Sequence, residues 1–172
     1  MKIRSIVHSL RLRTLPLSLA GVLLGIMLAS DNHTFSTWGI VFTLLTTVTL
    51  QILSNLCNEL GDYLSGTDGE QREGPTYSLA DGNLSVHDFR ITIGVFVGLC
   101  CIFGILMIAT SFGTLWGIKP IGLILLGASA IWAAMHYTLG KNPYGYRGLG
   151  DLFVFLFFLC FFFLLFIIFI CS

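Results

Sequence analysis

The 172-residue chain is 55% hydrophobic and only 10% charged, with nine basic residues balanced by nine acidic ones. A water-soluble domain carries about 25% charged residues, so this chain lacks the polar surface to cover a globular core in water; its mean hydropathy of +0.88 makes a lipid bilayer the expected solvent. The formal net charge is zero, which leaves no basic excess for nucleic acid.

The chain opens on a basic stretch, with Lys2, Arg4, Arg11 and Arg13, and no convincing small-residue cleavage site of a secretory leader follows it. The first apolar segment is 15–30, short of the ~20 residues a span needs unless it borrows from the amphipathic stretch before it. Pro16 near its start costs nothing there, because the first N–H groups of a helix have no internal partner. Further apolar segments cover 38–57, 89–112, 118–139 and 152–171. Together they predict an all-α, multi-span transmembrane helix bundle of about five spans, forming one domain over 1–172. The segments are joined by two short connections, 31–37 and 113–117, and by two long, polar, glycine-rich ones, 59–88 and 140–151. The last residues, 159–172, are an apolar run of Phe, Leu, Ile and Cys closed by a serine.

Orientation follows from the basic residues. Eight of the nine lie before the first span or in or beside the two long loops, Arg90 just past the end of the first loop, and Lys119 alone falls on the other side. An excess of Lys and Arg marks cytoplasmic segments, so the N-terminus and the loops 59–88 and 140–151 are expected in the cytoplasm, with the chain in the inner (cytoplasmic) membrane. All acidic residues except Asp31 share that side. Chemistry, where there is any, is therefore expected where the second and fourth spans leave the membrane.

In the second span Gln51, Asn55, Asn58 and Asp62 recur at steps of four, three and four, which sets them on one helical face. Amides are costly in hydrocarbon without partners or water. The stripe thus either lines a polar cavity or ties neighbouring helices together by hydrogen bonds. It leads into Asn58-Glu59-Leu60-Gly61-Asp62 and then Gly66-Thr67-Asp68. Clustered carboxylates are tolerable when a cation neutralises them, and an all-oxygen set favours Mg2+ or Ca2+. Mg2+ takes few carboxylates together with substrate phosphates, which suits a diphosphate site; the alternative is a solvated loop at a helix end. Arg72 has the geometry to clamp a phosphate, and equally serves the basic bias of its side.

The later loop combines Tyr137, Tyr144 and Tyr146 with Lys141, Arg147 and several glycines. Interfacial tyrosines are common anchors at headgroup depth; the other reading is a lid with a phosphate-binding lysine and cation-stabilising rings. The five cysteines, Cys57, Cys100, Cys101, Cys160 and Cys171, lie in or beside apolar runs without metal-site spacing and are expected to pack as small apolar residues. None of the four histidines has a metal partner by spacing.

Several stretches resemble the 1,4-dihydroxy-2-naphthoate polyprenyltransferases of the UbiA superfamily of intramembrane prenyltransferases. They are Ser9-Leu10-Arg11-Leu12-Arg13-Thr14-Leu15-Pro16-Leu17; Leu50-Gln51-Ile52-Leu53-Ser54-Asn55-Leu56 with Asn58, Glu59, Asp62, Gly66, Thr67 and Asp68; Arg72 with Gly74-Pro75; Tyr137-Thr138; and Pro143-Tyr144-Gly145-Tyr146 with Gly148-Leu149-Gly150-Asp151. The resemblance covers roughly 9–158. It implies a partial UbiA-type fold and Mg2+-dependent transfer of a polyprenyl group from polyprenyl diphosphate to 1,4-dihydroxy-2-naphthoate, leading to demethylmenaquinone. By matching position it implies Asn58, Glu59, Asp62 and Asp68 as metal ligands, with Asp62 and Lys141 central to catalysis. Arg72 and Lys141 would touch the diphosphate, and Gln51, Asn55, Tyr137, Tyr144 and Tyr146 would line the substrate site.

Position 59 is Glu where the family usually has Asp, and the family's second aspartate-rich motif is absent from this sequence. The expectation is therefore a truncated or frameshifted product, with the apolar tail as its mark. An inactive membrane remnant, or a prenyltransferase acting on another aromatic acceptor, stands as the alternative.

Overall fold

A computed structural model describes residues 2–30, 36–66, 79, 82, 84–140 and 142–147. The described residues are helical, with no strand among them: α1 (Lys2–Ser9), α2 (Leu15–Ser30), α3 (Thr37–Ser65), α4 (Val86–Phe112) and α5 (Ile118–His136), plus 3-10 turns at Leu12–Thr14 and Gly145–Arg147. Four stretches are long and apolar enough to cross a membrane: Ser5–Met27, Thr37–Ser65, Val86–Phe112 and Ile118–His136. The first joins the short apolar segment 15–30 to the stretch before it by length and composition alone, and the chain turns between them at 10–14. The fifth expected span, 152–171, and the tail 159–172 lie outside the described residues.

The helix ends have local causes. Ser85 caps α4, its hydroxyl accepting from the Asp88 N–H at 3.1 Å, and Asp88 sits in the first turn, where the helix dipole favours negative charge. Pro120 lies in the first turn of α5, where its missing N–H is harmless. α3 ends where Gly66 enters the left-handed region at φ 75°, its N–H reaching the Tyr63 carbonyl at 3.3 Å.

α3 is the axis of the bundle. It packs along α4 and also touches α2 and α5. Towards its C-terminal half, Ile52, Leu53, Leu56, Cys57 and Leu60 meet Phe89, Ile93 and Cys100 of α4, with Leu79 and Leu84 closing the cluster. A second cluster at the other end joins Val22 and Ile26 of α2 to Ile108 of α4 and Leu123 of α5. Polar groups inside α3 are satisfied locally: Thr43, Thr47 and Thr49 donate to the carbonyls of Gly39, Thr43 and Leu45, each at 2.8 Å. Large apolar side chains cover the outside, among them Leu17, Ile102, Ile105, Ile118 and Leu125. Polar groups inside and hydrocarbon outside is the arrangement a bilayer stabilises.

With 29 residues α3 is about 43 Å long, well beyond the ~30 Å hydrocarbon layer. The end of the apolar segment at Cys57 is therefore followed by two further helical turns, which carry Asn58 and Asp62 as the stripe's spacing expects and also Glu59, expected at the start of the loop. The physical reason is burial: Cys57, Glu59, Leu60 and Gly61 are all buried, so packing carries the helix through polar residues that hydropathy alone reads as its end.

Candidate functional site

The polar end of α3 is enclosed from two directions. On one side lies the N-terminal arm, 2–14; on the other lies the stretch 137–147 that follows α5.

The arm folds back in a sharp turn. Arg11 adopts φ 49°, ψ 52°, the left-handed conformation that costs a non-glycine residue roughly 1–2 kcal/mol. Several bonds hold it there. The Thr14 N–H and the Thr14 hydroxyl each donate to the Arg11 carbonyl at 2.9 Å. Asn55, buried in α3, donates through Nδ2 to the Leu10 carbonyl at 3.1 Å and to Thr14 Oγ1 at 2.9 Å. One turn further along α3, Glu59 is fully buried, and its Oε1 accepts from the Ser9 hydroxyl at 3.1 Å. One turn before Asn55, Gln51 Oε1 accepts from Ser18 of α2 at 3.0 Å. The amide part of the stripe thus ties helices together, the second of the two readings the sequence left open. Thr14 and Ser18 are its side-chain partners and Ser9 is that of Glu59, and the sequence reading gives none of the three a functional role. Small hydroxyls next to basic and apolar residues carry no signal of their own until the facing amides are known.

The other side is built on close contact. The Thr138 hydroxyl donates to the Cys57 carbonyl at 2.8 Å and leans towards Asn58 Oδ1 at 3.4 Å. Gly61 makes this approach possible: a Cβ at that position would stand 2.6 Å from the Thr138 carbonyl oxygen. The Tyr146 phenol donates to Asp62 Oδ1 at 2.7 Å and accepts from the Ser65 hydroxyl at 3.2 Å. Tyr144 donates to the Ala133 carbonyl at 2.7 Å and meets the Tyr137 ring edge-on at 5.4 Å between centroids. The Gly145 N–H closes the loop on the Tyr137 carbonyl at 2.9 Å. Burial, and then the neighbouring Tyr137 phenol, push the Tyr144 phenol above its ordinary pKa.

The structure therefore brings Asn55, Asn58, Glu59, Asp62, Tyr137, Tyr144 and Tyr146 around one end of α3 and leaves Gln51 at the middle of the helix against α2, while Asp68, Arg72 and Lys141 lie outside the described residues. Among the described residues no group of three or more His, Cys, Asp or Glu side chains is placed to hold a metal. The donors in hand are the Glu59 and Asp62 carboxylates, one turn apart, and the Asn58 amide. They are not a complete protein cage. A hard cation bound with a phosphate generally takes only one or two protein carboxylates and keeps water for the rest.

Comparison with known proteins gives this end of α3 its context. A 1,4-dihydroxy-2-naphthoate octaprenyltransferase of Escherichia coli is 38% identical over 151 residues, covering 88% of this chain and 48% of that protein. The enzyme of the same name from Haemophilus influenzae is 37% identical over 150 residues, 86% of this chain and 48% of its own length. Over most of its length the chain is similar to these prenyltransferases, as a partial form of them. A more distant member, from Mycobacterium tuberculosis, is 32% identical over 152 residues. The chain spans about half the length of the curated relatives it matches. No family model matches it, and no solved structure does.

Proposed function

We propose that this chain carries the diphosphate-gripping part of a polyprenyltransferase site, and that the whole protein transfers a polyprenyl group from polyprenyl diphosphate to 1,4-dihydroxy-2-naphthoate in menaquinone biosynthesis. The observation that carries the reading is the pair of carboxylates, Glu59 and Asp62, held one turn apart at the polar end of a spanning helix. Matches to octaprenyltransferases over nearly the whole chain support it.

In this reading Asn58, Glu59, Asp62 and Asp68 would hold Mg2+, which would supply positive charge to the departing diphosphate. Arg72 and Lys141 add positive charge to the same oxygens. The allylic carbon–oxygen bond breaks and its electron pair leaves with the diphosphate. The ring carbon bearing the carboxylate attacks the allylic carbon, and carbon dioxide is lost. Tyr137, Tyr144 and Tyr146 wall the cationic carbon with aromatic rings and keep bulk water from it. The prenyl tail lies along the apolar surface of the bundle. The excess of basic residues on this side supports a cytoplasmic placement of this end of α3, in the cytoplasmic membrane.

A chimera tests the reading. The matching stretch of the Escherichia coli relative is replaced by residues 9–158 of this chain and introduced into a menaquinone-deficient strain. Restored growth is expected, and Asp62→Asn in the same chimera is expected to abolish it. A chimera that inserts in the membrane but makes no quinone, or one indifferent to Asp62→Asn, counts against it.

A further inference from the structure

The stripe on α3 divides into residues that face the site and residues that face the arm, and the division assigns a new role to Asn55. We infer that the arm 2–14 is latched to α3 by Asn55, and that Asn55 is a positioning residue for Glu59 rather than a contact to substrate; the clause concerning Glu59 rests on the metal role proposed above.

Both donors of the Asn55 amide are committed to the arm, one to the Leu10 carbonyl and one to Thr14 Oγ1. These acceptors flank Arg11, the residue in the left-handed conformation. A strained turn persists only where its surroundings over-determine it, and Asn55 and Thr14 supply that constraint from both sides. Ser9 is the neighbour of Leu10, so the bond that fixes Leu10 also fixes the hydroxyl that reaches Glu59. Asn55 and Glu59 are one turn apart on α3 and face the same arm. Without the latch the turn at Arg11 relaxes, Ser9 leaves, and the buried carboxylate turns towards water, away from the position in which it meets a cation together with Asp62.

The test uses the full chain in lipid nanodiscs and Mn2+ as the probe. Tryptic cleavage after Arg11 and Arg13 reports arm docking, and Mn2+ paramagnetic resonance reports affinity and ligand field. Asn55→Ala and Thr14→Val should each speed cleavage about tenfold and weaken Mn2+ binding at least fivefold. Thr14→Ser, which keeps the hydroxyl, should behave as the parent. Ser9→Ala leaves the latch intact, so it should weaken Mn2+ binding with cleavage unchanged. Unchanged cleavage in Asn55→Ala overturns the latch. Faster cleavage with unaltered Mn2+ affinity overturns the positioning role. A parent chain that binds no Mn2+ overturns the metal reading and the positioning role with it, while cleavage still decides whether the arm is latched.

Discussion

Gly61 shows how one missing side chain shapes the site. Alanine is the better helix former by roughly 0.5–1 kcal/mol. Here its Cβ would press on the Thr138 carbonyl, backbone that cannot step aside without moving the loop. Overpacking of that kind costs about 1–3 kcal/mol, so the clash wins. Gly61→Ala is expected to lower stability by about 1–2 kcal/mol and to speed amide exchange at 137–147, read by hydrogen-exchange mass spectrometry. Tyr146→Phe makes the contrasting case. Tyr146 is 43% exposed, and an exposed bond of this kind is worth at most ~1 kcal/mol. The thermal midpoint should therefore barely move, while the phenol bond to Asp62 disappears. Glu59→Gln keeps an acceptor for Ser9 and removes a buried charge. Divalent-cation binding should be lost while the Ser9 bond is kept. The loss is read by thermal unfolding with and without Mn2+.

At the level of elements, the sequence was legible where hydropathy and helical spacing act alone. Four expected spans have described counterparts, and the stripe Gln51, Asn55, Asn58, Asp62 lies on one continuous helix. The end of α3 was only half legible: the spacing of Asn58 and Asp62 continues the helix, but hydropathy ends it at Cys57 until the burial of Glu59 by Ser9 and the cover over Gly61 are seen. The partition of the stripe was hidden for the same reason: periodicity puts four residues on one face but does not say what faces them. The loop after α5 carries its own pH dependence. Burial raises the Tyr144 phenol, so the unfolded loop ionises first as pH climbs. Its contribution to loop stability is complete below the ordinary phenol value and is lost as pH rises through the folded one. Protection of 137–147 against exchange should fall over that alkaline range, and Tyr144→Phe should flatten the fall.

At the scale of the molecule, charge, helix length and packing agree on one picture. Apolar side chains cover the outside of the bundle, polar groups are bonded inside it, and α3 is long enough to carry its carboxylates past the hydrocarbon. A helix of that length brings Asp62 to the interface at one end, with Glu59 buried one turn before it, while its apolar part stays in the bilayer. A lipid diphosphate needs the same division, with charged oxygens at the interface and an isoprenoid tail in the apolar layer. The most direct measurement is a titration of farnesyl diphosphate into the chain in nanodiscs, with Mg2+ and then with EDTA, for the parent and for Asp62→Asn. Binding that weakens at least tenfold on removing Mg2+ or on substituting Asp62 is the expected result. Equal affinity under all of these conditions would contradict a cation-mediated grip at the end of α3.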